Sequence, residues 1–513
     1  MSKPRPALRS QSQPSDRLQK RTSTASASTT STSTPATMPP NLVRSRSTVH
    51  LPLYRRVLFP HDDPTSEIPQ IVRGKGDEVE LINERLYHLL ALALRGYVLQ
   101  WYTRFSTDRS FPPSIHNQII YPILHPILSD LYTDSGKDRL CELLLVDLPV
   151  ILNLHIKTYH QAKSAQKYLP THAGLDVKGE HGMAEGYHNR LPLLSISKQE
   201  DTQEYGITSI YLSALSTSLI NLYITPEGRQ IPDVERLMIR EILAKSILGS
   251  IIKRLCEGWF WYQIVLKLLG EPTSEDGTTK ENQKLEGCKE KEGKSVDQII
   301  LQYINTFINI CIKLWNIFIN IIALYSAAPK EKGRYQRCYE PTLLLIRELV
   351  GVDGYEGMER KRWSKRLIWG GVELVVGLFG GVLDRLLPHL LKTYILNPRT
   401  SLRLIDMIEK LLFPDGYPGP SPIDPTPQEA LDLRLRAERR IDQLIPSYIQ
   451  RIFFDTSRGT KVILDPIEDG SCNAHLVGMV LDGLVGTLLP DLVIQEQEQR
   501  VAEVNLDHLD ELG

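Results

Sequence analysis

Helical spacing of apolar residues is the feature of this 513-residue chain that most restricts its fold. In the first such stretch, apolar residues recur every three or four positions from Leu81 to Trp101, as expected for a helix with one face in a core. Similar patterns predict helices over Ser114–Leu131, Lys137–Ala165, Ile207–Leu222, Pro232–Leu255, Val296–Tyr325, Tyr339–Val350, Trp363–Leu396, Ser401–Leu412, Gln428–Phe453 and Asn473–Leu489. Almost no segment alternates with the two-residue period that is typical of a strand. The sequence therefore predicts an all-α fold.

Polar stretches divide the helical patterns. Residues 1–76 begin with a basic tail rich in Ser and Thr, and we predict them to be disordered, with Leu51–Phe59 as a short docking element. Residues 166–205, which are rich in Gly, His and Pro, predict a long loop. Further shifts in composition predict a charged linker, an amphipathic helical region and an acidic tail, at 271–295, 296–396 and 496–513 respectively.

Charge is unevenly distributed along the chain. The whole sequence has a net charge of −1, but residues 1–50 carry eight basic residues and one acid, so the remainder has a net charge of −8. An acidic body is a poor match for nucleic acid, because such binding depends on Lys and Arg that neutralise phosphates. The six cysteines include no CxxC pair, which fits a reducing, cytoplasmic compartment, and no secretory signal is visible. We therefore predict no nucleic-acid partner and no metal site.

The segment Ile299–Ala328 is long enough to cross a bilayer. At about 100° per residue its polar residues share an arc of roughly 80°; they are Gln298, Gln302, Asn305, Asn309, Lys313, Asn316 and Asn320. A helix that crosses the bilayer alone would expose this polar stripe to lipid and place a lysine at mid-depth, where a charge is energetically costly. We therefore predict that the segment does not span a membrane and that it buries the face opposite the stripe. That face includes Ile304, Phe307, Cys311, Trp315, Phe318 and Ile322. A second apolar segment, Leu367–Leu391, contains four interrupting residues and is also not predicted to span.

A basic run directly precedes this second apolar segment. It consists of Arg360, Lys361, Arg362, Trp363, Lys365 and Arg366, with one serine between. Cations beside a tryptophan and an apolar stretch are typical of a contact with a membrane surface, where each cation contributes about 1 kcal/mol near anionic lipid. The alternative is a solvated helix start whose Trp363 packs inward. Both interpretations stay open.

The sequence shows no recognisable catalytic constellation. There is no phosphate-binding GxxxxGK[ST] loop, no GxSxG nucleophile motif and no HExxH pair. Nothing pairs a Cys or Ser with a His and a carboxylate at a recognisable spacing. We therefore predict that the protein is not an enzyme and needs no cofactor.

Several stretches resemble the PX-associated (PXA) domain of sorting nexins. The stretch from Gly96 to Trp101-Tyr102, followed by a Ser/Asp turn and Phe111-Pro112, resembles the opening of that domain. Asp147–Tyr159 resembles the helix that leads into its long loop, and Arg236–Ala244 (RLMIREILA) resembles its closing helix. The resemblance assigns residues 77–270 to a PXA domain.

Residues 397–495 resemble the C-terminal domain of sorting nexins. The matching stretches are Leu412–Tyr417 (LFPDGY), Leu444–Pro446, Val462–Asp465 and the residues from Asn473 to Leu492. Sorting nexins that combine both modules place a PX domain, and often an RGS domain, between them. The 271–295 linker has no room for either, so the resemblance implies a fungal-type architecture without PX and RGS domains.

The resemblance also implies a function. In this family the two modules are thought to form one helical body with an elongated apolar cavity suited to lipid, which makes the apolar face from Ile304 to Ile322 the candidate lipid site. The implied protein is non-catalytic, cytoplasmic and peripheral on endomembranes, at endosomes or ER contacts, with phospholipid, phosphoinositide included, as ligand. Its role would be lipid transfer or endosomal trafficking. The alternatives are a trafficking adaptor that binds proteins without internal lipid, a plain helical core in place of the cavity, and an integral protein anchored by 299–328.

Overall fold

Helices form nearly all of the regular structure. The structure, a computed structural model, describes residues 51–63, 65–168, 180–199, 204–225, 231–272, 308–309, 312–313, 315–316, 319–329, 335–353, 362–418, 424–454 and 459–492. Every described residue belongs to one compact unit that begins at Leu51. The predicted all-α class is confirmed.

The N-terminal half of the described chain is a series of twelve helices. They are α1 (Leu53–Leu58), α2 (Asp77–Ala93), α3 (Gln100–Tyr102), α4 (Phe111–Ile115), α5 (Tyr121–Leu131), α6 (Asp134–Glu142), α7 (Leu148–Tyr168), α8 (Glu180–His188), α9 (Ser209–Leu219), α10 (Asp233–Glu241), α11 (Ser250–Cys256) and α12 (Gly258–Leu269). π-Helical turns extend five of them, at Leu94–Leu99, His116–Ile120, Leu143–Asp147, Ile220–Ile224 and Ile242–Gly249.

A short hairpin interrupts this series. Strand β1 (Ile196–Lys198) pairs antiparallel with β2 (Tyr205–Ile207), with Ile196 opposite Ile207. Helix α8, strand β1 and the first residue of β2 lie within the stretch that the sequence predicted as a loop, 166–205. The prediction missed them because three strand residues and a nine-residue helix rich in glycine and polar residues are too short to show a clear period.

The C-terminal half continues with helices. Residues 308, 309, 312, 313, 315, 316 and 319–327 are helical. The helices that follow are α13 (Glu340–Val350), α14 (Arg362–Leu378), α15 (Gly380–Leu390), α16 (Pro398–Leu412), α17 (Pro427–Leu444), α18 (Ser447–Phe453) and α19 (Gly470–Leu488), with a π-helical turn at Leu391–Ile395 and 3₁₀ turns at Gly459–Ile463 and Asp465–Ile467. The sequence predicted one helix over Trp363–Leu396, and the structure instead bends it by 76° between α14 and α15.

Local chemistry explains several helix ends. Thr426 caps α17 by accepting from the backbone N–H of Glu429, whose carboxylate accepts from the backbone N–H of Thr426 in return. Asp469 caps α19 by accepting from the N–H of Cys472 at 2.9 Å. Gly351 ends α13 in the left-handed region, with φ of 65°, where a side chain would be strained. These signals fix where the helices begin and end, and leave open which helices pack together.

The described residues of 51–76 are folded against the body. The helix α1 lies within the predicted docking element Leu51–Phe59, and the predicted disorder of the described residues from 60 to 76 is wrong. Tyr54, Leu58 and Phe59 are buried in a cluster with Tyr87 of α2. Asn83 brackets the backbone of Val72, accepting from its N–H at 2.8 Å and donating to its carbonyl at 3.1 Å. Residues that precede α2 in the sequence therefore pack along one side of that helix.

Removing residues 1–76 should destabilise the protein more than removing residues 1–50. The longer truncation deletes the buried side chains of Tyr54, Leu58 and Phe59, each of which contributes about 1.5–3 kcal/mol on burial. We expect the unfolding midpoint to fall by about 5 °C or more between the two truncated chains, measured by circular dichroism. Equal midpoints would show that α1 does not contribute to the core.

Helix α19 completes the core of the N-terminal helices although it lies some two hundred residues later in the chain. Ala474 and Val477 are buried against Ile196 and Ile207 of the hairpin, together with Leu212, Ala244 and Ile252. The Asn473 amide donates to the carbonyl oxygens of Cys256 and Ile467, at 2.9 and 2.8 Å. The polar and apolar contacts of one helix thus join both ends of the described chain.

Candidate functional site

Two of the six predicted lipid-binding residues lie within the described part of the chain. Trp315 and Ile322 have exposed fractions of 62% and 50%, so neither lines an enclosed cavity in the structure. The other four, Ile304, Phe307, Cys311 and Phe318, lie outside the described residues. The expected face is therefore seen in part, and the part that is seen is open to solvent.

Around these two residues lies an ordered apolar pattern, which we name the Ile/Trp stripe. Its members are Ile308, Ile312, Trp315, Ile319 and Ile322. All five are helical and exposed, and their spacing of four, three, four and three residues places them within roughly 80° of each other around a helix. The neighbouring polar positions, Asn309, Lys313, Asn316 and Asn320, are exposed as well. Each of the five apolar side chains has an exposed fraction of 46% or more.

The carboxyl end of this segment is attached to the body by Arg385 of α15. The guanidinium of Arg385 lies over the ring of Tyr325, 4.3 Å from its centroid, and its Nε donates to the carbonyl of Ala328 at 3.1 Å. Ala328 itself is buried. The stripe therefore ends at a fixed point on the folded unit.

The predicted membrane-surface residues divide into different environments. Trp363 is largely exposed, and Arg366 is exposed with its guanidinium 3.5 Å from the Asp353 carboxylate. Lys365 is buried with an exposed fraction of 1%, which corrects its assignment to a surface, because a buried cation cannot reach a headgroup. The side chains of Arg360, Lys361 and Arg362 lie outside what the structure describes.

Helix α14 has a polar inward stripe and an apolar outward face. Lys365, Trp369 and Glu373 follow one another at four-residue intervals, with Lys365 and Trp369 buried and Glu373 half-buried. The Glu373 carboxylate accepts from Arg347 at 2.9 Å and from the Trp369 indole at 2.8 Å. The opposite face consists of exposed apolar side chains: Trp363, Leu367, Leu374 and Leu378, followed by Phe379 at the bend.

The inward stripe is joined to α13 and the turn after it by ion pairs. Arg347 donates to both carboxylate oxygens of Asp353, at 2.9 and 3.1 Å, as well as to Glu373. The hydrogen bond from Arg347 holds the pKa of Asp353 below its usual range. The Asp353 carboxylate is therefore ionised at neutral pH, and the ion pairs of Arg347 with Asp353 and Glu373 fix the rotation of α14 on the body.

No single helix in the described ranges is long and apolar enough to cross a membrane. By length and composition alone, α14 and the helical residues from Gly380 to Ile395 pass that criterion as a bent pair.

Two cavities are lined by described residues, and neither contains a predicted site residue. A cavity of about 630 Å³ lies between the hairpin and residues 244–257, with Tyr205, Ile207 and Lys253 among its lining. A smaller one, of about 360 Å³, is lined by Arg73, His125, Tyr132 and four neighbouring residues. Their mixed polar and apolar walls do not indicate one ligand class.

The sequence analysis did not predict a buried polar cluster at the contact between α7, α8 and α19. His155 Nε2 donates to the Pro466 carbonyl at 3.0 Å, so its Nδ1 accepts from the Tyr187 hydroxyl at 2.8 Å. His475 Nδ1 donates to the Ser471 carbonyl at 2.9 Å, and its Nε2 lies 3.0 Å from Nδ1 of His188. The signal in the sequence was the position of His155 on the apolar face of α7.

Burial changes the protonation of this cluster. It lowers the pKa of His155, His160 and His475 to about 4, so all three are neutral at pH 7. Among the described residues, no group of three or more His, Cys, Asp or Glu side chains is arranged to hold a metal ion. The cluster acts as a hydrogen-bonded contact between the two ends of the described chain.

Comparison with known proteins identifies the N-terminal helices. Residues 80–268, which run from α2 to α12, match the family model of the PXA domain. The Trp101-Tyr102 and Phe111-Pro112 motif lies inside this range, where the rings of Tyr102 and Phe111 stack with centroids 4.3 Å apart. No curated protein and no solved structure matches the chain. Residues 80–268 of the chain are therefore similar to the PXA domain.

Proposed function

We propose that this protein is a non-catalytic, lipid-binding protein of membrane trafficking that is cytoplasmic and peripheral on endomembranes, at endosomes or ER contacts. The observation that carries the proposal is the Ile/Trp stripe, five exposed apolar side chains on one side of a helix that is attached to the folded unit. Exposed apolar surface of this extent marks a place where a protein contacts lipid or another protein. The PXA match supports the trafficking context.

Phospholipid fits the stripe and the residues beside it. An acyl chain that lies along the stripe removes apolar surface of both partners from water, at about 0.8 kcal/mol for each buried CH₂ group. Lys313 is exposed on the adjoining polar side and suits an anionic headgroup, including that of a phosphoinositide. Contact energies of this size are comparable with those in a bilayer, so the lipid can be released again, as transfer between membranes requires.

Lipid carriage should depend on the apolar character of the stripe. We expect the protein purified from cells to contain phospholipid, and the Trp315→Asp/Ile322→Asp variant to lose at least about 90% of it, because a carboxylate against an acyl chain costs several kcal/mol. Both positions are exposed, so the protein should remain folded. The measurement is lipid mass spectrometry per mole of protein, with circular dichroism as the test of folding.

Asn320→Asp supplies the matched control for this experiment. It introduces the same carboxylate on the same helix, on the polar side and away from the stripe. We expect this variant to keep its lipid. If the wild-type protein purifies without lipid, or if the stripe variant keeps its lipid, the lipid-binding proposal fails.

The same stripe also favours a second candidate function, a trafficking adaptor without internal lipid. Alternating steps of four and three residues are the spacing of the seam of a coiled coil, which pairs with another helix. In that case the wild-type protein would self-associate or bind a helical partner through the stripe. Lipid-free wild-type protein that becomes monomeric in the Trp315→Asp/Ile322→Asp variant, as judged by light scattering, would favour the adaptor.

A further inference from the structure

We propose that α14 is an interfacial membrane anchor, which lies flat on an anionic leaflet with its outward apolar face immersed in the headgroup and upper acyl region. This inference extends the proposed function, because it takes the partner to be a membrane. It concerns different residues from the Ile/Trp stripe, so the two can fail separately.

The outward face of α14 is apolar along its whole length. Leu374 and Leu378 have exposed fractions of 64% and 76%, and Trp363, Leu367 and Phe379 are also exposed. From Leu367 to Phe379 the only charged residue is Glu373, and its carboxylate turns inward to Arg347 and Trp369. A membrane-bound face therefore brings no unpaired charge into the lipid.

The attachment of α14 determines how it meets a membrane. Its inward stripe is fixed to the body by Arg347 and by the Arg366–Asp353 ion pair, so the apolar face points directly away from the folded unit. With 17 residues it presents about 25 Å of helix parallel to the surface. This is the geometry of an interfacial helix, buried by about 5–10 Å.

The helix that follows α14 stays on the body. The Asp384 carboxylate of α15 accepts from the backbone N–H groups of Arg337 and Cys338, both at 2.9 Å. At the bend, a Cβ on Gly380 would lie 2.7 Å from the Tyr339 hydroxyl, so a larger residue at this position would displace the Tyr339 ring. The bend of 76° is therefore fixed by packing, and it leaves Phe379 exposed at the end of the apolar face.

Charge favours a membrane over a protein as the partner of this face. Three basic residues, Arg360, Lys361 and Arg362, directly precede Trp363 in the sequence. Cations followed by a tryptophan and then an apolar face match the order of layers in an anionic leaflet, from phosphates to glycerol to acyl chains.

The experiment measures binding of the full chain to vesicles of phosphatidylcholine with about 30% phosphatidylserine, a composition that supplies anionic surface charge. The test variant is Leu374→Glu/Leu378→Glu. The matched control is Leu194→Glu/Leu268→Glu, which replaces two leucines that are at least as exposed, with Leu268 at 77%. We expect the partition coefficient of the test variant to fall at least tenfold, and that of the control to stay within twofold of the wild type.

Insertion is tested by a second measurement. Brominated lipids quench tryptophans that enter the acyl region, and the difference between the wild type and Trp363→Phe isolates Trp363 from the other five tryptophans. We expect vesicle-dependent quenching in the wild type and its reduction in Trp363→Phe. Quenching that is the same in both proteins would contradict insertion of α14.

Three outcomes overturn the proposal. The first is that the test variant binds vesicles as well as the wild type does. The second is that the test and control variants lose binding equally. The third is that the wild type does not bind vesicles and forms dimers that the test variant does not form, in which case the partner of α14 is a second copy of the chain. Lipid content per mole of protein separates this proposal from the proposed function. Vesicle binding through α14 by a protein that carries no lipid would support the anchor while rejecting the lipid-binding stripe.

Discussion

Replacing Val477 by Asp should unfold the N-terminal helices together with α19. Val477 is buried with Ala474 against the hairpin and α9, in the cluster that also contains Ala244 and Ile252. An unpaired carboxylate at such a site costs several kcal/mol, and the total stability of a folded unit is about 5–15 kcal/mol. We expect little or no soluble protein, or an unfolding midpoint lowered by more than about 10 °C, measured by circular dichroism.

Gly486→Asp is the control for this prediction. Gly486 is on the same helix, is exposed and has open space around its Cα, so the same carboxylate meets water there. We expect the control to unfold close to the wild-type temperature. If Val477→Asp yields a protein whose N-terminal helices unfold normally, α19 does not complete their core, and the packing of the two ends of the chain is not required for stability.

Acidification from pH 7 to pH 5 should destabilise the protein through its buried histidines. His155, His160 and His475 have pKa values of about 4 in the folded protein, against about 6.5 when unfolded. Between these values the unfolded chain binds more protons than the folded chain, so stability falls as the pH falls through this window. Each histidine should lower the free energy of unfolding by about 2 kcal/mol between pH 7 and pH 5. Burial raises the pKa of Glu257, so this carboxyl group has the opposite effect and offsets part of the loss.

Urea unfolding at pH 7 and pH 5 measures this dependence. In the His475→Gln variant, the decrease in unfolding free energy from pH 7 to pH 5 should be smaller than in the wild type by about 2 kcal/mol, because the proton that His475 binds on unfolding is no longer taken up. A wild-type protein equally stable at both pH values would show that the cluster is hydrated or protonated when folded.

Periodicity in the sequence was sufficient for the fold class and for most helices. The three- and four-residue spacing from Leu81 to Trp101 predicted α2 and its π-helical extension, and the spacing after Asn473 predicted α19. The aromatic motif from Trp101 to Phe111 marked the PXA domain, which the family match then located at 80–268. These features are local, because a helical face and a short motif are set by neighbours within a few residues.

The site was predicted less completely. The sequence placed Trp315 and Ile322 on an apolar face, and the structure leaves that face open rather than enclosed. It also grouped Lys365 with exposed cations, although the rotation of α14 that is set by Arg347 turns Lys365 inward. The spacing of residues gives the angle between two side chains on a helix but not which of them faces the body.

What the sequence determined by itself is therefore the helical class, the PXA domain and the amphipathic character of single helices. Only the tertiary structure decided that α1 docks on α2, that α19 closes the core of a domain two hundred residues earlier, and that His155 and His475 are buried at that contact. The physical reason is that an apolar helix face is stabilised when any apolar surface covers it, so the sequence of the helix alone does not determine which segment packs there. The partner is chosen by shape and hydrogen bonding between segments that are distant in the chain, which no local pattern records.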